Sequence, residues 1–169
     1  MRAMLSVTSP APEIDAVDNH GQRFRLSEQS GRLCTVLYFF PRAFTPGCTR
    51  ETAAFRDSHA DLHQLGAVIV GVSTDDGPTQ CRFADFMRAP FPLIADPRGE
   101  LTRAYDVRWP LVNIAKRVTF VIGPSQVILG TFHRELQIGK HHDEVVAFVM
   151  ELGRVRQGKV AAGPSPARA

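Results

Sequence analysis

The sequence predicts an α/β protein in which helices flank a central mixed β-sheet, preceded by an N-terminal β-hairpin. Two almost wholly apolar runs, residues 33–40 and 67–73, are rich in β-forming side chains and are typical of strands buried on both faces. A helical pattern follows each run, as in a sheet covered by helices. A later hairpin of two strands adds the antiparallel direction, so the sheet is expected to be mixed.

The remaining elements can be placed in chain order. Asn19, His20 and Gly21 form a turn signal between two short strands within residues 13–26, which predicts the N-terminal hairpin. The other expected elements are a helix from Pro46 or Gly47 to about Leu65, a helix over 77–87, a short extended piece at 91–95, a helix over 97–105 with Asp96 as its N-cap, strands over 118–122 and 127–132, and an amphipathic helix over 141–152.

The 169 residues suit one domain with a tail. We expect the domain to span residues 1–153 and residues 154–169, rich in Gly, Pro, Ala and Arg, to form a flexible basic tail. Four cations and no acid follow Gly153, whereas the whole chain carries +3, so the preceding residues carry −1. The tail could give only weak, non-specific contact with nucleic acid, and no nucleic-acid partner is expected.

The distribution of apolar residues and cysteines indicates a cellular compartment. No apolar run approaches the roughly 18 to 20 residues of a membrane-spanning helix, so no integral membrane protein is expected. The first residues lack the apolar segment of a secretion signal, and 3 cysteines are too few for a secreted disulfide framework. The expected location is therefore the reducing cytoplasm.

Cys48 lies where a buried strand gives way to a helix. The strand over 33–40 stops at Pro41 and the helix starts close to Cys48, so the sulfur is expected in the first helical turn. In open α/β sheets, ligand sites occupy this crevice at the carboxyl end of a strand. The free backbone N–H groups there favour a thiolate over a thiol, and Thr45 can turn its hydroxyl toward the same point. The alternative is that Cys48 packs as a small apolar side chain.

One segment resembles the signature of a known enzyme family. Pro41, Thr45 and Cys48 have the spacing P-x-x-x-T-x-x-C, which is similar to that of the peroxiredoxins. The wider string YFFPRAFTPGCTRE resembles the bacterioferritin-comigratory (Q-type) subfamily. The resemblance extends over about residues 11–152, because GVSTDD, FPLIAD and the RVTF that begins at Arg117 follow in the same order.

The resemblance implies a thioredoxin-like fold and a peroxide site. Cys48 would be the peroxidatic thiolate, which attacks a peroxide oxygen and becomes a sulfenic acid. Thr45, the backbone N–H of Cys48 and Arg117 would hold the peroxide and stabilise the developing charge, and Pro41 would shield the sulfur from water. Glu51 matches a position that orients an arginine, which implies a supporting role.

The resolving cysteine departs from the arrangement of many members of this subfamily. In those members it lies in the same helix, in a C-T-x-E-x-C pattern, where this chain has Ala53. A second group resolves from the next helix, and Cys81, at the start of the helix expected over 77–87, matches that arrangement. If Cys81 takes no part, the resemblance implies a one-cysteine enzyme that an external thiol reduces directly.

The other candidate nucleophiles and ligands have structural explanations. Cys34 lies inside the first apolar strand and is expected in the core. His59 and His63 are one turn apart on the long helix, but no third ligand follows at a useful spacing, so we expect a solvated helix face and no metal. The chain has no G-x-G-x-x-G and no Walker loop, so no cofactor is indicated.

The expected function is therefore a thiol-dependent peroxidase that reduces hydrogen peroxide and organic hydroperoxides. The resemblance implies a thioredoxin or glutaredoxin type of reductant and favours a monomer. The alternative function is a redox-sensing or binding module on the same fold that uses Cys48 as a switch with little turnover. The combination of Pro41, Thr45, Cys48 and Arg117 favours the enzyme, since a binding module needs no such set.

Overall fold

The computed structural model describes residues 5–161, with side chains up to Lys159. In chain order the strands are β1 Asp15–Val17, β2 Arg23–Arg25, β3 Cys34–Phe39, β4 Ala67–Ser73, β5 Leu93–Ala95, β6 Val118–Ile122 and β7 Ile128–His133. The helices are α1 Pro46–Gln64, α2 Gly77–Met87, α3 Glu100–Ala104 and α4 Ile138–Ala161, with a 3-10 turn at Leu26–Gln29.

Five strands form one mixed sheet in the order β5-β4-β3-β6-β7, with β3 at its centre. The strands β3, β4 and β5 run parallel, whereas β6 runs antiparallel to β3 and to β7. The strands β1 and β2 form a separate antiparallel pair. The mixed sheet and the N-terminal hairpin predicted from the sequence are thus confirmed.

The register of β3 with β6 determines which residues meet at one edge of the sheet. Phe39 at the end of β3 lies opposite Val118 at the start of β6. Consequently the loop after β3 and the residue that precedes β6 emerge at the same edge. The helix α1 begins directly after that loop, so its first turn also lies there.

Alternating side chains of β3 build two cores, one on each face of the sheet. Val36 and Tyr38 belong to the core that α1, α2 and α4 cover, whereas Leu37 and Phe39 belong to the opposite core. The second core is closed by residues of the N-terminal hairpin and of the segment after α3. Because both faces are covered, β3 is buried along its whole length, as its continuous apolar run predicted.

Several element boundaries differ from the sequence prediction. The predicted bounds of β4, α2 and β6 are confirmed, but α3 is shorter than the predicted helix and begins at Glu100. Asp96 still caps α3, because its carboxylate accepts the backbone N–H groups of Glu100, Leu101 and Thr102 at 2.8 to 3.2 Å. Gly99, in a left-handed conformation, occupies the N-cap position itself.

The predicted start of the tail at residue 154 is wrong for the described residues, because α4 continues to Ala161. Gly153 suggested a helix end, but it is buried inside α4, where a Cβ would lie 3.0 Å from Cδ2 of Leu65. The glycine therefore permits close packing of α4 on the segment after α1. Arg154 continues the helix with an ion pair to Glu151 at 2.5 Å. Residues 162–169 lie outside the described residues.

The length and hydropathy of the helices bear on membrane insertion. Within residues 5–161, none of the helices combines the length and the apolar character needed to cross a bilayer.

Candidate active site

Cys48 lies in the first turn of α1 and is fully buried. Thr45 is the N-cap of this helix, and its carbonyl accepts the N–H of Thr49 at 2.9 Å. The N–H of Cys48 precedes that bond, so it belongs to the set of N–H groups that have no partner within a helix. The sulfur is thus at the positive end of a 19-residue helix, where anions are stabilised. The position predicted from the sequence is confirmed.

Arg117 brings a cation to this sulfur. Its Nη2 donates to Sγ of Cys48 at 3.5 Å, and the residue is only 5% exposed. The residue immediately precedes β6, so the pairing of β6 with β3 carries it to the edge where α1 begins. Gly47 leaves the space for it, because a Cβ there would lie 2.9 Å from Nη2.

Glu51 lies one turn after Cys48 on α1 and holds the other side of the guanidinium. Its Oε2 accepts a hydrogen bond from Nη1 of Arg117, and the carboxyl group is fully buried. Burial raises the pKa of Glu51 to about 7, although the charge of Arg117 acts in the opposite direction. For Arg117, burial by itself lowers the pKa, but Glu51 and Cys48 together raise it overall, so the guanidinium remains charged.

Thr45 and Pro41 lie in the loop that connects β3 to α1. The hydroxyl of Thr45 donates to the carbonyl of Arg42 at 2.8 Å, so it is engaged within the loop rather than with the sulfur. Pro41 is half-buried directly after the strand. The structure therefore groups Cys48, Arg117 and Glu51 through direct contacts, and it places Thr45 and Pro41 on the adjoining loop.

Asp75 anchors this loop, a contact that the sequence analysis did not predict. Its Oδ2 accepts the backbone N–H of Ala43 at 2.7 Å and the hydroxyl of Ser73 at 2.7 Å. The signal that could have found it is its position after β4, since the carboxyl ends of the parallel strands β3 and β4 share one edge.

His141 is a further buried polar residue that sequence reasoning missed. It lies in the first turn of α4 and is fully buried, with Nε2 2.7 Å from Oγ1 of Thr119 and 3.8 Å from Oε1 of Glu51. Burial, followed by the charge of Arg117, lowers the pKa of His141 to about 4. Its spacing from Val145, one helical repeat later on the buried stripe, could have indicated that it faces the interior.

The other two cysteines lie away from this cluster. Cys34 is buried in β3, as predicted, and burial raises the pKa of its thiol to about 12. Cys81 is exposed on α2, and its sulfur lies 3.6 Å from the carbonyl of Asn19. All three cysteines are free thiols. The structure does not bring Cys81 to Cys48.

The described part of the chain offers no ready-made metal centre. Among residues 5–161, no three His, Cys, Asp or Glu side chains are arranged to hold a metal ion.

Comparison with known proteins identifies the family. Residues 7–130 match the AhpC/TSA family. The chain is 39% identical to peroxiredoxin Bcp of Bacillus subtilis over 155 residues, which cover 88% of this chain and 97% of the relative.

Solved structures show the same fold. Peroxidoxin BcpB of Mycobacterium tuberculosis superimposes with a TM-score of 0.79 at 31% identity, over 86% of this chain and 96% of that chain. The bacterioferritin comigratory protein of Xanthomonas campestris, described for its alkyl peroxide reduction activity, gives a TM-score of 0.76 at 27% identity, over 83% of this chain and 92% of that chain.

The thioredoxin-like fold expected from the sequence is thereby confirmed, and so is the resemblance on which that expectation depended. The chain belongs to the AhpC/TSA family and is a peroxiredoxin, an enzyme that reduces peroxides at the expense of thiols.

Proposed function

We propose that Cys48 is the peroxidatic cysteine of this enzyme and that Arg117 is its cationic partner. The observation that carries the proposal is the 3.5 Å contact between Nη2 of Arg117 and Sγ of Cys48 at the amino end of α1. A thiolate nucleophile needs a cation and N–H donors nearby, and both are present at this sulfur. Cys34 and Cys81 have no such surroundings, being respectively enclosed in β3 and exposed on α2.

The reaction begins when the Cys48 thiolate attacks the terminal oxygen of a hydroperoxide. A sulfur–oxygen bond forms while the O–O bond breaks, so the sulfur is oxidised to a sulfenic acid and the peroxide is reduced. The leaving oxygen departs as an alkoxide or hydroxide and takes up a proton to give an alcohol or water. Arg117 and the backbone N–H of Cys48 stabilise the charge that develops on that oxygen.

Three further residues support this step. Glu51 orients the guanidinium of Arg117 through its buried carboxylate. Thr45 is the N-cap of the helix that begins with Cys48 in its first turn, and when substrate binds its hydroxyl would release the carbonyl of Arg42 and donate to the peroxide instead. Pro41 limits the access of water from the loop side.

We propose that the substrates include organic hydroperoxides as well as hydrogen peroxide. Phe44, in the loop before Cys48, is 46% exposed; its ring packs edge-on against Phe83 and at a tilt against the 65%-exposed Phe86. This apolar surface beside the site suits the hydrocarbon part of an alkyl hydroperoxide. The reported activity of the Xanthomonas campestris relative toward alkyl peroxides agrees with this choice.

We propose that Cys81 resolves the sulfenic acid. Its thiol attacks the oxidised sulfur of Cys48, a disulfide forms, and water leaves. A dithiol protein of the thioredoxin or glutaredoxin type then reduces the disulfide. A cycle of this kind needs a reducing compartment, which favours the cytoplasm, and the proposed working unit is the monomer because all the groups named lie on one chain.

The test is the rate of peroxide consumption by the Cys48→Ser variant in the presence of a thioredoxin system. We expect the second-order rate constant to fall by at least about three orders of magnitude, because the hydroxyl of serine is a far weaker nucleophile. The matched control is Cys34→Ala, which removes a cysteine from the core and leaves the site intact. Undiminished activity of Cys48→Ser would contradict the assignment.

A further inference from the structure

The peroxidatic chemistry described above leaves one buried group near the site without a role. His141 is fully buried, and its Nε2 lies between Oγ1 of Thr119 at 2.7 Å and Oε1 of Glu51 at 3.8 Å. Oε1 of Glu51 has no hydrogen-bond partner among the described residues, although Oε2 is bonded to Arg117. His141 therefore places a ring nitrogen within 3.8 Å of the free oxygen of a buried carboxylate.

The surroundings of the imidazole ring indicate which nitrogen carries its proton. Burial keeps the ring neutral, and the positive end of α4 has the same effect. Nδ1 has no partner in the described part of the chain, whereas Nε2 faces two oxygens. A buried N–H without an acceptor is unfavourable, so the proton belongs on Nε2.

We propose that His141 is a positioning residue of the peroxide site: its Nε2–H, which it shares with the hydroxyl of Thr119, keeps the facing carboxylate of Glu51 ionised, and the ionised Glu51 in turn fixes Arg117 against Cys48. The inference rests on the proposed function. At 3.8 Å the N–H does not form a hydrogen bond with Oε1, but its dipole stabilises the negative charge in a site shielded from water.

Burial disfavours the ionised form of Glu51, so a nearby N–H dipole is needed to keep the carboxylate charged. Burial raises the pKa of Glu51 to about 7, so the group is poised to take up a proton under ordinary conditions. A protonated Glu51 would lose its ionic bond to Nη1 of Arg117. The guanidinium would then be free to leave the sulfur, because the Nε of Arg117 has no partner of its own among the described residues.

Other titratable and charged groups also face this pair. Besides Cys48 and Arg117, they are Tyr38 on β3, His133 at the end of β7, Arg134 and Glu135 before α4, and Glu144 on α4. Glu135 raises the pKa of Glu51 further, whereas Arg117 lowers it. His133 bonds to Glu135 at 3.0 Å on the surface and needs a control of its own.

The experiment measures the second-order rate constant for peroxide against pH in His141→Leu. The wild-type rate should fall as the pH drops through about 7, where Glu51 takes up its proton. This fall in rate at low pH is the acid limb of the profile, and in His141→Leu it should shift to a pH about one unit higher. At neutral pH the rate of His141→Leu should then be roughly fivefold below that of the wild type. At a pH about two units above neutral it should be within about twofold of the wild-type rate.

Two variants and two controls separate this effect from a structural one. His141→Gln keeps an N–H donor and should restore the wild-type limb. In a Glu51→Gln background, His141→Leu should change the limb no further, because the group on which it acts is gone. His142→Leu, whose ring contacts Phe55 and Ser58, and His133→Gln should leave the limb in place.

A loss of rate in His141→Leu that is equal at all pH values would overturn the inference, and so would an acid limb at the wild-type pH.

If His141→Leu does not fold, Thr119→Val provides the test instead. Removal of the hydroxyl frees the Nε2–H for Glu51, so the limb should move to lower pH, and an unmoved or raised limb would contradict the inference. Failure of the proposed function would look different, because Cys48→Ser and the wild type would then consume peroxide equally.

Discussion

Gly47 shows how a single residue without a side chain shapes the site. A Cβ at this position would lie 2.9 Å from Nη2 of Arg117 and 3.1 Å from Cδ1 of Ile138. The guanidinium of Arg117 that contacts Cys48 occupies this space. The glycine is therefore a condition for the contact between the cation and the sulfur, although it takes no part in the chemistry itself.

At this scale we predict that Gly47→Ala lowers kcat/KM for peroxide by roughly 10- to 100-fold, because displacing an oriented group by a fraction of an ångström has effects of that size. The stability of α1 should not fall, since alanine has a higher helix propensity than glycine. Stopped-flow kinetics and thermal unfolding would measure the two effects. Gly77→Ala is the matched control, because it is also in the first turn of a helix and a Cβ there meets nothing within 4 Å. An unchanged kcat/KM in Gly47→Ala would contradict this view of the gap.

At the scale of elements, the proposed resolution by Cys81 is expected to involve a rearrangement of α2. The sulfur of Cys81 contacts Asn19, whose N–H and Oδ1 both bond to Leu93 at the outer edge of β5. Cys48, in contrast, is buried in the first turn of α1, and both sulfurs are free thiols. A disulfide brings the Cα atoms within about 7 Å, so we expect local unwinding of α2 to bring the exposed Cys81 to the buried Cys48.

The amino end of α2 should control how fast this disulfide forms. Asp76 caps α2, and its Oδ1 accepts the N–H of Thr79 at 2.8 Å. Asp76→Ala removes the cap and favours local unwinding, so the Cys48–Cys81 disulfide should form roughly fivefold faster after one equivalent of peroxide. Mass spectrometry of quenched samples would measure the rate.

The control for this prediction is Asp85→Ala, an exposed acid on the same helix that caps nothing at its amino end. A rate that rises equally in both variants would argue against control by the cap. If the wild type forms no Cys48–Cys81 link at all, Cys81 is not the resolving cysteine and the enzyme relies on an external thiol.

At the scale of the whole molecule, the active site and the basic end of the chain are far apart. The site uses the first turn of α4, where His141 lies, whereas the basic residues begin at Arg154 in the same helix. Thirteen residues of helix separate them by about 20 Å. The side chains from 154 to 159 are exposed, so they cover no part of the core.

We therefore predict that deletion of residues 154–169 leaves kcat/KM within about twofold of the full chain, because the side chains of 154–159 are exposed and begin about 20 Å from His141. The net charge should change from +3 to −1, which ion-exchange chromatography would register. Deletion of residues 162–169 alone distinguishes the contribution of these last residues from that of the end of α4. A large loss of activity in either protein would show that this end of the chain reaches the site.

The sequence by itself determined the mixed sheet, the bounds of β4, α2 and β6, and the place of Cys48 in the first turn of a helix. These features depend on local patterns, namely apolar runs, turn residues and the spacing of Pro41, Thr45 and Cys48. The wrong prediction that the last helix ends before Gly153 has the same origin, since this glycine lies within α4 and packs closely on the distant Leu65.

Tertiary structure alone decided which side chains surround the sulfur. The contact of Arg117 with Cys48 depends on the register of β3 with β6, which no local pattern encodes, and without the family resemblance Arg117 would have been one arginine among many. The burial of His141 against Glu51 likewise depends on how α4 packs on α1. Physically, strands and helix starts follow from short-range preferences, whereas the charge, burial and proton positions of an active site arise from groups that only the folded chain brings together.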